Sequence, residues 1–299
     1  MKIVLAGCTG FIGKPLTQHF VQKGYQVVSL VRKNNTDLPN EVKQVEWNGK
    51  DQGEWSKEID GADAVVNLSG AGIADKKWSD ERKKLIVSSR VESTQAIKMA
   101  IEKASQKPKV WVNASAVGYY GSLTNEIATE SSPSGKDFLA DTCRMWEEAT
   151  QGAEKHTRLV IIRIGVVLEK DGGALPKMAT PFKMFVGGPT GSGKQGFPWI
   201  HRDDVIGLID FAIRNEKVQG VINATAPELL NNKQFSSILA KVLKRPNLFP
   251  APAFMLKMIF GEMSVMLLEG QLVKPLRAQE YGYTFKYPTA ESALKAIYG

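Results

Sequence analysis

The stretch that most constrains this chain is its first thirteen residues, MKIVLAGCTGFIG. Ile3 to Ala6 is an apolar run of the kind that makes a strand buried on both faces. Gly7, Gly10 and Gly13 follow at three-residue spacing, and Phe11 to Lys23 has helical periodicity. A buried strand, a tight glycine turn and a helix opening at that turn together predict a dinucleotide site. Gly7 permits the turn, Gly10 lets backbone approach a pyrophosphate, and Gly13 lets helix pack close to strand. The first N–H groups of the helix lack partners within it and carry the positive end of its dipole, which favours an anion. Gly7, Thr9, Gly10, Phe11, Ile12 and Gly13 are therefore expected to line the site.

The next strand, Tyr25 to Val31, predicts which cofactor. In an NAD site its end usually carries a carboxylate for the ribose 2′-hydroxyl. Here Val31 runs into Arg32 and Lys33, and the first carboxylate is Asp37. A guanidinium suits a 2′-phosphate and a carboxylate would repel it. NADP(H) is thus expected, with Val31 and Arg32 in contact. Two solvent-facing basic residues after a strand are the alternative. The buried strand Ala64 to Leu68 ends in Ser69-Gly70-Ala71-Gly72, small residues that let a cofactor cross the strand end. Leu68, Ser69 and Gly70 join the expected cofactor contacts. Asn67 could instead be only a satisfied strand-end polar group.

Further strands are expected at Val42 to Trp47, Val110 to Ala114, Leu159 to Ile164 and Gly220 to Ala224. Helices are expected over Ser79 to Lys103, Phe138 to Glu154 and Asn231 to Leu243. This alternation predicts an α/β chain, a Rossmann doubly wound parallel sheet with a smaller, mostly helical C-terminal lobe on the substrate side. Residues 1–168, with 200–226 returning to the sheet, form the first unit, and 169–199 with 227–299 the second. Thr124 to Lys136 reads as a loop over the site, and Gly187 to Pro198 as a glycine-rich loop bordering a substrate pocket. Asp203 is a candidate N-cap for the helix that follows it, and His201 a structural hydrogen-bonder.

Composition removes several classes. At 299 residues the chain can bury a large core. No apolar run reaches the ~20 residues that span a bilayer. The net charge of +8 is broken up locally, as where Asp75, Asp80 and Glu81 interrupt Lys76-Lys77 and Arg82-Lys83-Lys84. An anionic small molecule accounts for the excess, and neither nucleic acid nor membrane is expected as a partner. Cys8 and Cys143 are too few for a disulfide framework or a cysteine-built zinc site, and no H-E-x-x-H-type spacing supports a metal. Leu5-Ala6-Gly7-Cys8 imitates a lipoprotein box, but the apolar stretch before it is too short for a signal, so a cytoplasmic location is expected. Gly188-x4-Gly193-Lys194 imitates a nucleotide-triphosphate loop, but Gln195 follows where Ser or Thr is needed and Pro198 blocks a helix. Either a monomer or a dimer is compatible with the sequence.

The segments TGFIG, SAVGYYG, FLADTCRMWE, RIGVVL, GGALPKM, GGPTGSGKQGFPWIH and LLEGQLVKP together resemble, nearly end to end, the atypical extended short-chain dehydrogenases/reductases known as epimerase family proteins. The resemblance implies an NADP-binding extended Rossmann fold with a distinct helical C-terminal segment, and no particular substrate. In the superfamily the loop after Leu68 borders the adenosine side of the cofactor. Arg90 falls where an asparagine commonly faces the cofactor cleft, so it is expected to face the cofactor or an anionic substrate, or else to lie on the helix surface. Val166, just beyond the strand expected at Leu159 to Ile164, is also assigned to the cofactor.

The superfamily's acid/base is a Tyr whose pKa is lowered by a Lys four residues later, beside a Ser or Thr that holds the substrate oxygen. Counting back from Glu147 puts Cys143 at the Lys position and Leu139 at the Tyr position. Counting back from Tyr120-Gly121 puts Ala116 at the Ser position. All three positions are vacant. Two functions remain open. One is an NADP-dependent oxidoreductase or epimerase acting on an unidentified small molecule, with Ser115 and Tyr120 (or Tyr119) polarising a carbonyl. The other is a non-catalytic NADP(H)-binding sensor or partner-binding protein. Both tyrosines could equally be packing groups.

Overall fold

In a computed structural model of the chain, which describes residues 1–123 and 126–299, the seven runs expected as strands form one sheet. The strands are β1 (Lys2–Ala6), β2 (Gln26–Val31), β3 (Lys43–Glu46), β4 (Ala64–Asn67), β5 (Val110–Ala116), β6 (Ile127–Ala128), β7 (Arg158–Ile164), β8 (Val166–Leu168), β9 (Trp199–His201), β10 (Gly220–Ala224) and β11 (Leu272–Val273). The helices are α1 (Gly13–Gln22), α2 (Asp80–Lys103), α3 (Phe138–Glu148), α4 (Leu175–Lys183), α5 (Arg202–Arg214), α6 (Asn232–Leu243), α7 (Ala253–Phe260), α8 (Val265–Leu268), α9 (Leu276–Glu280) and α10 (Ala290–Tyr298). The main sheet runs β10-β7-β5-β4-β1-β2-β3. Every neighbouring pair in it is parallel. The two-residue pair β6 with β11 and the three-residue pair β8 with β9 lie outside it. These were not expected, because strands this short carry no readable alternation. Thr124 and Asn125, the first residues of the loop expected over the site, lie outside the described residues.

Helices on both faces explain why the strands read as unbroken apolar runs. Side chains alternate across a strand, so each strand feeds two cores. Ile3 and Leu5 of β1 join Leu16 and Phe20 of α1 and Leu208 of α5 on one face. Val4 and Ala6 join Ile97 and Ile101 of α2 on the other. A third core gathers Leu168, Phe182, Trp199, Phe235, Leu239 and Leu294, from α4, α6, α10 and the strands β8 and β9. Chain order reverses between β1 and β4, which opens a crevice at their carboxyl ends, the place where ligands bind in such sheets.

Two boundaries differ from expectation. The helix expected to reach Glu154 ends at Glu148, and Gly152 turns the chain with a left-handed φ of +88° before a short 3-10 turn at Ala153–Lys155. The N-cap of α5 is His201, not Asp203. His201 Nδ1 accepts a hydrogen bond from Asp203 N at 3.0 Å, while Asp203 stands in the first turn. A ring nitrogen two residues upstream performs the capping that a carboxylate usually performs. Asp204 then ties the C-terminal segment to α5, accepting from the backbone N–H groups of Lys286 (2.7 Å) and Tyr287 (3.0 Å).

The His201 cap works only while Nδ1 is unprotonated. Burial pushes the His201 pKa below its ordinary value, with Asp203 and Glu169 pulling the other way. A base whose folded pKa is lowered contributes stability that is present above its unfolded pKa of about 6.5 and is lost as the pH falls towards the folded value. His201→Asn, which keeps a cap without titrating, is expected to flatten this part of the stability–pH curve below about pH 6.5, read from urea midpoints. His201→Ala should lower stability at neutral pH by roughly 1 kcal/mol.

Candidate functional site

The crevice above β1 and β4 is shaped by backbone. Gly7 has φ +81°, and a Cβ there would run into the Leu68 carbonyl carbon at 2.6 Å. A Cβ on Gly13 would collide with the Gly7 carbonyl. Gly10 differs, since its missing Cβ would meet only Gly7 O at 3.3 Å, on the open side of the turn. That is the cradle a diphosphate needs. Helix α1 opens into it with Ile12 at the N-cap, no side-chain cap and no acidic residue in its first turn. Lys14 N is taken by Gly10 O at 2.9 Å and Pro15 has no N–H, so among the described residues it is the N–H groups of Ile12 and Gly13 that are left for an external acceptor. Thr9 is exposed, and Phe11 packs its ring against Gly172 and Gly173 while Arg202 lies 5.1 Å above it.

The other expected contacts ring the same strand ends. Val31 is buried at the end of β2, and Arg32 and Lys33 stand exposed beyond it. Among the described residues neither forms an ion pair, and Asp37 is engaged by Lys14 at 3.2 Å. Leu68 N donates to Ala6 O at 2.9 Å, which locks the loop after β4 beside the glycine turn. Ser69 N donates to Asn67 Oδ1 at 3.1 Å. Asn67 is indeed a satisfied strand-end polar group, with Nδ2 on Asn113 Oδ1 at 2.8 Å and Thr94 Oγ1 at 3.1 Å. Val166 opens β8 past the end of β7, with its N–H on Pro198 O at 2.7 Å. The glycine-rich loop Gly187 to Pro198 leads into strand β9 rather than a helix.

Arg90 reaches from α2 across the loop after β4. Its guanidinium donates to Ala71 O (3.1 Å) and Ile86 O (2.8 Å), lies against Gly70 and sits 5.0 Å over Trp146. Among the described residues it has no carboxylate partner. Burial lowers its pKa, yet an arginine stays charged at any working pH. Arg90 is therefore a partly buried cation held against the loop after β4, not a fully exposed residue of a long helix.

The three vacant relay positions come together in space. Leu139 Cβ and Cys143 Sγ are the atoms nearest a Cβ built on Gly118, at 3.4 and 3.8 Å. Ala116 ends β5 beside them, and Ala116 shapes the Cys143 environment through its backbone. Cys143 does not supply the missing charge, because burial pushes its thiol up to about 12.

Ser115 and Tyr120, the hydroxyls expected to polarise a carbonyl, are both buried and hydrogen-bonded to protein partners. Ser115 is 2% exposed and its Oγ donates to Glu147 Oε1 at 2.6 Å. Tyr120 is 1% exposed, donates to Asn223 Oδ1 at 2.6 Å and accepts from Arg163 Nη1 at 3.0 Å. Burial raises the Tyr120 pKa, against the pull of the Arg163 charge. The physical reason is Arg163, a buried guanidinium whose Nε and Nη2 each donate to Glu147 at 2.8 Å. Burial opposes that charge, and Glu147 more than offsets the opposition. Tyr119 is the half-buried member of the pair, its ring 3.3 Å from Arg163 Cζ. Sequence reasoning used Glu147 only as a register mark. Its partners stand on β5 and β7, and no local spacing announces a pair that forms across a sheet.

The profile of the NAD dependent epimerase/dehydratase family matches residues 3–224, and a domain of unknown function, DUF1731, matches residues 251–297. An epimerase family protein SDR39U1 homologue of Arabidopsis thaliana, chloroplastic, is 43% identical over 307 residues, covering 99% of this chain and 86% of the relative. Human epimerase family protein SDR39U1 is 38% identical over 302 residues, covering 99% of each chain. The crystal structure of human SDR39U1 (isoform 2) with NADPH superposes with a TM-score of 0.91 at 36% identity, covering 99% of both chains. The chain thus belongs to the NAD dependent epimerase/dehydratase family, as an atypical extended short-chain dehydrogenase/reductase of the epimerase family protein kind.

Proposed function

We propose that this chain binds NADP(H) in the crevice above β1 and β4 and acts as an NADP(H)-dependent oxidoreductase or epimerase on a small molecule, without a Tyr–Lys relay. The observation that carries the reading is the pairing of the uncapped α1 turn with Arg32, free of any carboxylate, at the end of β2. A diphosphate suits the N–H groups around Gly10 to Gly13, and a 2′-phosphate suits the exposed guanidinium. The similar human structure was solved with NADPH, which supports the same choice here. Bound, the cofactor would supply hydride. Gly7, Thr9, Gly10, Phe11, Ile12, Gly13, Val31, Arg32, Leu68, Ser69, Gly70, Arg90 and Val166 would hold it.

The chain's own residues bind, orient and exclude water. Ala116, Leu139 and Cys143 present an apolar, uncharged floor, and Arg90 supplies the nearby positive charge. Ser115 and Tyr120 hold Arg163 and Glu147 in place and so position β5 against α3. A cytoplasmic location and a small-molecule partner fit this reading. Residues 1–168 with 200–226 would form the cofactor unit, and 169–199 with 227–299 the substrate-side lobe. The apolar floor also favours a second reading, a cofactor-binding sensor without turnover. Steady NADPH oxidation across a panel of carbonyl substrates supports the first reading. Tight NADPH binding with no turnover supports the second.

Saturating NADPH, at about a hundred times its Kd, should stabilise the protein by ~2.7 kcal/mol in a thermal scan, and NADH less at equal concentration. Arg32→Asp should weaken NADPH by about tenfold to a hundredfold while leaving NADH little changed, since a hydrogen bond to a charged group contributes about 1.5–3 kcal/mol. Equal responses to the two cofactors would remove Arg32 from the argument.

Tyr120→Phe should lower stability by about 1–3 kcal/mol, because Arg163 and Asn223 each lose a buried partner. NADPH affinity, measured by fluorescence titration, should stay within about twofold of the parent. Unchanged stability together with abolished turnover would instead return Tyr120 to the chemistry.

A further inference from the structure

Helix α7, sequence AFMLKMIF, is apolar at every position but Lys257, yet only Leu256 of its eight residues is buried. Phe254 is 67% exposed and Met258 73%. A helix this apolar belongs either in a protein core or in lipid. The exposed apolar surface does not stop at α7. Leu248 and Phe249 precede it, and both donate their N–H groups to Gly187 O at 3.1 Å. Ala251 N then donates to Pro189 O, and Gly191 N to Ala251 O, each at 2.9 Å. These bonds bind the segment before α7 to the segment after α4, where Met184, Phe185 and Val186 are also more than half exposed. Phe185 holds a left-handed φ of +65°, a conformation bulky residues rarely adopt. Arg245 lies 4.6 Å over its ring.

Charge says what covers this surface. Residues 172–199 carry three Lys and no Asp or Glu. Residues 241–261 carry four Lys or Arg, of which Lys241 is paired with Glu291 at 3.3 Å, and no Asp or Glu. The carboxylate that follows, Glu262, is engaged by Lys83 at 2.5 Å. Exposed Phe, Met and Leu side chains flanked by an excess of cations are the pattern of a face that inserts into a lipid interface. A second copy would set these cations against their own images across a two-fold axis. We propose that α7 and the two segments laced beneath it form a peripheral docking face for an anionic lipid bilayer. Among the described residues no helix is long and apolar enough to cross a membrane. The sequence-based expectation of no membrane partner rested on the absence of a span of ~20 residues, which a helix lying in the interface does not need.

Flotation of the full-length protein with vesicles tests this, comparing phosphatidylcholine alone with phosphatidylcholine mixed with phosphatidylglycerol. The protein should float with the mixed vesicles and remain in solution with phosphatidylcholine alone. F254S/M258S should lower the partition coefficient at least about tenfold. Replacing Lys244 and Arg245 by Gln should lower it about fivefold per cation. All these side chains are away from the cofactor turn, so NADPH affinity should be unchanged in each variant and reports intact folding. Absence of flotation with mixed vesicles overturns the proposal. So does equal flotation with the two vesicle types, or flotation that F254S/M258S leaves intact. A parent dimer that F254S/M258S converts to monomer, without flotation, assigns the face to a second copy and overturns it as well.

Discussion

The whole arrangement depends on how closely three stretches of backbone approach at the end of β1. Gly7 lies against the Leu68 carbonyl, and Gly13 lies against the Gly7 carbonyl. A single methyl group at either place would push β4 or α1 away from β1. The crevice between β1 and β4 exists only because both methyl groups are missing. Its two walls are the same backbone that pairs Ala6 with Asn67 and starts α1 at Gly13. Fold and binding site are therefore one constraint. The turn that lets helix pack against strand also leaves N–H groups pointing at nothing within the protein.

A second constraint lies one strand further along. Burying the Arg163 guanidinium requires a partner of opposite charge, and Glu147 meets it with two bonds in the fork geometry that suits arginine. Once that pair is in place, its remaining donors and acceptors must be satisfied too. Tyr120, Ser115 and Asn223 are drawn in to do so. The two hydroxyls best placed in the sequence for chemistry are therefore fastened into the sheet. Beside them, Leu139 and the buried Cys143 gather against Gly118 near the end of β5, and Arg90 reaches over from α2.

This division explains what could be read in the sequence. Features whose cause is local were legible. Glycine spacing located the turn, runs such as AVVNL and VWVNA located buried strands, and Arg32 after Val31 marked the end of β2. The capping box at Asn231 and Gln234, seen in the structure, likewise sits where the helix was expected to begin. Features whose cause is distant were not legible. Ser115 looked available because nothing near it in sequence indicates that Glu147, thirty-two residues on, accepts its hydroxyl hydrogen bond. His201 gave a weaker cap signal than Asp203 because a ring nitrogen as acceptor depends on protonation, which burial decides. The C-terminal lobe was expected only as mostly helical. Only its placement reveals that α7 lies on the outside.

The vacant relay bears directly on what such a crevice can do. Leu139, at the tyrosine position, has no proton to give, and Cys143, at the lysine position and pushed up to about 12, carries no positive charge. The two side chains therefore do not form a Tyr–Lys relay. Ala116, Leu139 and the buried Cys143 instead bring no charge to this region. In that setting the Arg90 charge, held by two backbone carbonyls and one indole face, is weakly screened. Arg90 offers a fixed positive charge and no proton at working pH. On the proposed reading, any proton exchanged in the crevice would therefore come from another group, from the substrate or from solvent.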